Sequence, residues 1–178
     1  MIYLFLADGF EEIEALATVD VLRRAGAELR TVGVGKKQIV GSHGIPVTAD
    51  LEEREVELSQ IDMVILPGGP GTKDLERCET MRTAVRTCAQ QGKPIAAICA
   101  APSILGHMGL LKGHEATCFP GYEEELGAQR VTGEAVCVSG TIITGKGAGV
   151  AVDFALKLVE VLYGSEKSEA IRKNMQCM

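Results

Sequence analysis

Five strand-length, largely apolar runs constrain this chain more than any other feature: residues 1–7, 29–34, 62–67, 93–98 and 141–144. Each is too short for a buried helix. Runs without polar alternation are the mark of strands covered on both faces. Between them lie stretches of helical period. From Glu11 the apolar positions Ile13, Leu16, Ala17, Val21 and Leu22 follow a helical stripe that ends in Arg23 and Arg24 and stops at Gly26, where a terminal glycine belongs. Strand, helix and strand within about 34 residues make a βαβ unit, which crosses over right-handed and builds a parallel sheet. The pattern predicts an α/β fold: a doubly wound, mostly parallel sheet with helices on both faces, in one domain over 1–178.

The remaining segments fill in that plan. Residues 38–50, with Gly41, Gly44 and Pro46, read as a small hairpin, and 52–57 as a solvated acidic stretch. One helix is expected over 74–91, short β segments over 113–120 and 131–138, a glycine turn at 145–149, a helix over 150–162, and a polar helix in the tail from Ser165.

In doubly wound sheets the site lies beyond the carboxyl ends of the strands. Three loops meet that condition. Residues 95–98 end at Cys99 and pass through Ala100, Ala101 and Pro102 into a helix-compatible segment, which reads as a nucleophile elbow: small residues permit a sharp turn, and proline is tolerated in a first helical turn. A lone cysteine in an apolar run is most often a small core residue, but this position sets the sulfur beside a helix N-terminus, where free N–H groups and the dipole favour thiolate. Gly68 and Gly69 follow the strand at 62–67, so the N–H of Gly69 can join that of Ala100 as an oxyanion hole, although two glycines alone also make a plain turn. Glu11, Glu12 and Glu14 open the first helix; one of them, desolvated on the rim, can hold or move a proton, and spacing does not choose among them.

Composition narrows the function. Net charge −6 opposes nucleic acid or an anionic membrane as partner, and 46% hydrophobic with 24% charged residues is an ordinary globular balance. The chain enters its first strand directly, without a signal peptide, so a cytoplasmic location is expected. Six cysteines show no CxxC spacing and no paired histidines nearby, which points away from a disulfide framework or metal site. His107, about two turns along the elbow helix, and His114 are placed too far along to pair with Cys99 and read as surface or turn residues.

The motifs 7–14 (ADGFEEIE), 19–26 (VDVLRRAG), 66–69 (LPGG), 96–102 (AAICAAP) and 153–156 (DFAL) resemble the ThiJ/PfpI superfamily, in the branch of the Parkinsonism-associated deglycase and bacterial YajL. The resemblance implies a flavodoxin-like, class I glutamine amidotransferase-like fold, a homodimer paired through the first helix, Cys99 as reactive thiol and Glu14 as its hydrogen-bonding carboxyl. Gly68, Gly69 and Ala100 would form the anion pocket. Where members carry a histidine before a proline, Phe119 stands here, and where arginines approach the site, His43, contributed across the dimer, and Lys146 stand; these three are expected to line the pocket. Ala100 in place of a histidine argues against a peptidase, and no downstream His-x-Glu supports a glutaminase. The implied activity is a cysteine-dependent, cofactor-independent and metal-free glyoxalase or deglycase acting on 2-oxoaldehydes or glycated protein. The other expectation is a redox sensor in which Cys99 is oxidised to sulfinate without turnover.

Overall fold

The computed structural model describes residues 1–177. The strands are β1 (Ile2–Leu6), β2 (Leu29–Gly33), β3 (Gln38–Val40), β4 (Pro46–Thr48), β5 (Leu51–Glu52), β6 (Met63–Leu66), β7 (Ile95–Ile98), β8 (Glu115–Ala116), β9 (Arg130–Val131), β10 (Val136–Ser139) and β11 (Ile142–Gly145). The helices are α1 (Glu12–Arg24), α2 (Thr72–Arg77), α3 (Glu79–Gln91), α4 (Pro102–His107), α5 (Ala151–Tyr163) and α6 (Ser165–Asn174). Seven strands form one sheet in the order β10-β11-β7-β6-β1-β2-β5, parallel throughout except for β10 against β11. The doubly wound, mostly parallel sheet predicted from the apolar runs is observed, as is the flavodoxin-like fold that the resemblance implied.

Alternation along β1 shows why its sequence is apolar without interruption. Ile2, Leu4 and Leu6 face the core shared with α1, α5 and α6, whereas Tyr3 and Phe5 face the core shared with α3 and α4. Every residue of β1 is buried. With about 25 cal/mol stabilisation per Å² of apolar surface removed from water, neither face tolerates a polar side chain cheaply. β1 lies between β6 and β2, so its two flanking connections leave on opposite sides and a crevice opens at the carboxyl ends of β1, β6 and β7.

The hairpin expected at 38–50 is present as β3 and β4, separate from the main sheet. Its base is stitched to the loop after β1: Gly9 N donates to Val40 O, Ser42 N donates to Phe10 O, and Val40 N donates to Asp8 Oδ1. The tail helix is present as α6, anchored on α5 by buried Ile171 and by Ser168 Oγ donating to Leu156 O at 2.8 Å.

One expected element is divided. The helix predicted over 74–91 breaks at Cys78, whose backbone is extended (φ −68°, ψ 110°), into α2 and α3. The Cys78 sulfur caps α3 by accepting from Met81 N at 3.4 Å and donates to Glu53 Oε2 at 2.7 Å. A contact from a segment 25 residues away thus overrides a continuous helical pattern. The β segments expected at 113–120 and 131–138 are shorter than drawn from sequence, the first reduced to the two residues of β8. Among the described residues no helix is long and apolar enough to cross a membrane.

Candidate active site

Cys99 sits one residue past the end of β7 with φ +66°, in the left-handed region that a branched or bulky residue rarely enters. Its N–H donates to Gly145 O at 2.9 Å and its carbonyl accepts from Phe119 N at 2.8 Å, so both neighbouring chains clamp the turn. Such a non-glycine residue costs about 1–3 kcal/mol and persists because the surroundings over-determine it. The elbow read from the sequence is therefore present: strand, strained cysteine, then α4 with Pro102 in its first turn.

The glycine after β6 is required by contact. A Cβ on Gly68 would lie 2.7 Å from Cys99 Cβ, 2.9 Å from Glu14 Oε2 and 3.0 Å from Ala100 N. Gly69 has φ +93°, and a Cβ there would meet Gly9 O at 2.5 Å and Glu11 N at 2.7 Å. These two residues let the loops after β1, β6 and β7 close on one point. The Gly69 and Ala100 N–H groups both act on the Cys99 sulfur as donors that stabilise its ionised form.

Of the three candidate carboxylates, the fold turns Glu14 inward. Glu14 is 1% exposed, and its Oε2 accepts from Gly68 N at 2.8 Å. Its Oε1 is, among the described residues, the buried side-chain oxygen without a hydrogen-bond partner, which is the costly condition that a protonated carboxyl or a bound ligand relieves. Burial pushes the Glu14 carboxyl up to about 7, against the pull of the Gly68 N–H and the Cys99 thiol. Burial likewise pushes the Cys99 thiol up to about 12, with the charge of Glu14 adding to it and the N–H groups of Ala100 and Gly69 opposing.

That direction corrects the sequence expectation for the sulfur. The N–H groups favour thiolate as anticipated, but desolvation and a facing carboxylate outweigh them, and α4 is only six residues long. The two upward shifts describe a pair that retains one proton across neutral pH. The proton rests mainly on the sulfur; in the minor arrangement with the proton on Glu14, the repelling charge is gone and the carboxyl becomes a donor to the thiolate.

The match to the DJ-1/PfpI family runs over residues 1–161. The chain belongs to the DJ-1/PfpI family. It is 37% identical to Protein DJ-1 homolog A of Arabidopsis thaliana over 93% of this chain, but spans only 44% of that relative's length. It is 33% identical to the Glutathione-independent glyoxalase DJR-1.2 of Caenorhabditis elegans, over 92% of this chain and 88% of the relative. Among solved structures, oxidized Toxoplasma gondii DJ-1 superposes with a TM-score of 0.95 at 36% identity, covering 98% of this chain and 97% of the other.

A cavity of about 800 Å³ opens at Cys99, lined by residues of α2, α4 and the turn at 119–125. Gly69, Ala100, Cys99 and Phe119 line it, as the sequence suggested, and Gly68 lies behind the sulfur. Within one chain, His43 and Lys146 do not line this cavity, and the expectation for His43 concerns a partner copy. His43 binds Glu12, its N–H 2.7 Å from Oε1 and its Nδ1 2.9 Å from Oε2, and Lys146 Nζ donates to Gly133 O at 3.2 Å. Glu11, Glu12 and His43 bring ligand atoms within 4.8 Å of one another, but Glu12 and His43 already satisfy each other. Burial of Glu12 raises its pKa, and bonds from His43 and Ser42 overcome that and hold it at about 2, so it serves as an anchor for the hairpin and not as a proton carrier. Ile13 and Ile45, each near this cluster in sequence, remain exposed. The sequence reading set aside His107, which in the structure lines the same cavity as Cys99. Its helical distance from the sulfur was legible; that α2 and the 119–125 turn bring Glu76 and Glu125 to it was not.

Proposed function

We propose that this chain is a cofactor-independent glyoxalase or deglycase that uses Cys99 as nucleophile and Glu14 as proton carrier. The observation that carries the reading is the buried Glu14 carboxyl, raised to about 7 and with one oxygen free, facing a cysteine fixed in a strained elbow. A general acid–base works best with a pKa near the operating pH. The name of the nematode relative, a glutathione-independent glyoxalase, agrees with a thiol supplied by the protein.

With methylglyoxal the steps balance as follows. Cys99 thiolate adds to the aldehyde carbon, whose oxygen takes a proton to give a hemithioacetal. Ionised Glu14 then removes the hydrogen on that carbon as a proton, leaving an enediolate whose charge rests on the former ketone oxygen. The hydroxyl proton of the first carbon passes to that oxygen, Glu14 returns its own proton to the adjacent carbon, and the first carbon becomes the carbonyl of a 2-hydroxy thioester. Water cleaves the thioester, releasing lactate and restoring the thiol, with no net oxidation or reduction. The Gly69 and Ala100 N–H groups face the oxyanions of the first and last steps. For a glycated amine or thiol, the same thiolate attacks the carbonyl-derived carbon and the amine or thiol departs.

Lactate formation from methylglyoxal without glutathione tests the reading, comparing native protein with Cys99→Ser and Glu14→Gln. Loss of turnover by at least about a hundredfold in both variants is expected, the scale of a positioned acid–base. A reduced native protein that makes no lactate refutes it for this substrate.

The same geometry supports a second reading, a redox sensor. A neutral Glu14 and two N–H donors suit the oxygens of a sulfinate, formed when Cys99 thiolate takes one oxygen from each of two hydrogen peroxide molecules and releases two waters. Selective gain of two oxygens at Cys99, in a protein without turnover, separates this from the enzymatic reading.

A further inference from the structure

The cavity of about 800 Å³ above Cys99 is much larger than a three-carbon aldehyde requires, and part of its lining is a cluster of His107, Glu76 and Glu125 that the proton chemistry does not use. His107 is the last residue of α4, which contributes Ser103 and His107 to the cavity lining. Its Nδ1 lies 2.8 Å from Glu76 Oε1 on α2, and its Nε2 lies 3.3 Å from Glu125 Oε2 in the turn at 119–125. All three residues line the cavity that Cys99 opens into. Nδ1 makes a hydrogen bond to Glu76, and Nε2 forms an ion pair with Glu125 when the ring carries both protons, so two acids from different elements bracket the imidazole. The cluster is part-exposed, Glu76 the least so, so these contacts contribute little to stability and much to shape.

We propose that His107 is the specificity-determining residue of the pocket: held between Glu76 and Glu125, it is the end wall that limits how large a group attached to the reacting carbonyl is admitted. The inference rests on the reading of Cys99 as a nucleophile toward carbonyl compounds, and it names what that reading leaves open, the size of the substrate's non-reacting end. Small 2-oxoaldehydes fit with the wall in place. Aryl or longer alkyl 2-oxoaldehydes require it to move. Replacing the ring by a methyl group removes both tethers and extends the groove, whereas glutamine keeps much of the bulk and can still donate to a carboxylate.

The test measures Cys99 alkylation by iodoacetamide and by a bulky N-aryl maleimide, each quantified on the Cys99 peptide by mass spectrometry, in native protein, His107→Ala and His107→Gln. In parallel, the ratio of kcat/KM for phenylglyoxal over methylglyoxal is measured. The ratio of large to small reagent is expected to rise about tenfold in His107→Ala, the discrimination a pocket wall of this size supplies, and to stay near the native value in His107→Gln. The turnover ratio is expected to move the same way. Alkylation of buried Cys88 reports any loss of folding; if His107→Ala does not fold, Glu125→Ala, on an exposed turn, carries the same expectation. An alkylation ratio within twofold of native in the folded alanine variant overturns the proposal. Absence of turnover in the native protein would overturn the aldehyde reading instead, and the alkylation ratio would still decide the wall.

Discussion

Glu14→Gln separates what this site costs the fold from what it does for chemistry. In the folded chain the carboxyl binds its proton up to about pH 7, whereas in the unfolded chain it releases it near 4.5. Between those values the folded state holds more protons than the unfolded state, so stability falls as pH rises through that window and the full loss is reached above about 7. At 1.36 kcal/mol per pH unit the difference amounts to about 3 kcal/mol. Glutamine cannot ionise, yet its carbonyl oxygen can still accept from Gly68 N, now 2.8 Å from Glu14 Oε2. The variant is therefore expected to be close to native in stability at pH 4.5–5 and more stable at pH 8, by up to about 3 kcal/mol, or roughly 6–12 °C in Tm for a chain of this size. Thermal melts followed by circular dichroism at both pH values, with the thiols kept reduced, make the measurement. Equal shifts at the two pH values, or a less stable variant at pH 8, would show that Glu14 is not held out of ionisation by burial. The same substitution is expected to remove turnover, which would make Glu14 a residue kept at the expense of stability.

Two further outcomes follow from the same contacts. Gly68→Ala places a Cβ 2.7 Å from Cys99 Cβ and 2.9 Å from Glu14 Oε2, so a destabilisation of about 1–3 kcal/mol in urea unfolding is expected, together with loss of Cys99 reactivity toward iodoacetamide; a native-like variant would show that the loops are not in contact. Cys99→Gly, freed of the φ +66° strain, is expected to be more stable than Cys99→Ala by about 1 kcal/mol despite the lost methyl, and the opposite order in thermal melts would mean that the elbow is relaxed.

Much of the fold was legible because burial on both faces leaves a direct trace in sequence. The β1 run is apolar without alternation because α1 and α5 cover one face and α3 and α4 the other. The elbow was legible for a related reason: the small residues around Cys99 are those a φ of +66° and a clamped backbone allow. The break at Cys78 was not legible, since the cap comes from its own sulfur and is fixed by Glu53, a contact only the folded chain creates. Nor did periodicity choose among Glu11, Glu12 and Glu14. They differ by one or two steps of a helix, and the choice depends on what stands opposite each: His43 and the hairpin face Glu12, whereas Gly68 and Cys99 face Glu14.

The opposite fates of Glu12 and Glu14 show why environment, and not residue type, assigns the chemistry. Both are carboxylates on the first turn and a half of α1, and both are nearly inaccessible to solvent. Glu12 receives donors at both oxygens, from His43 and Ser42, and these hold it ionised at about 2 against its burial. Glu14 receives one backbone donor at one oxygen, and burial then prevails. One more donor at Oε1 would be expected to pull Glu14 down toward the behaviour of Glu12 and leave the site without a group that exchanges protons near neutrality. Burial together with the missing hydrogen bond at Oε1 is thus what makes Glu14 chemically useful, and Gly68, which has no side chain to stand between them, lets a backbone N–H, the carboxyl and Cys99 meet.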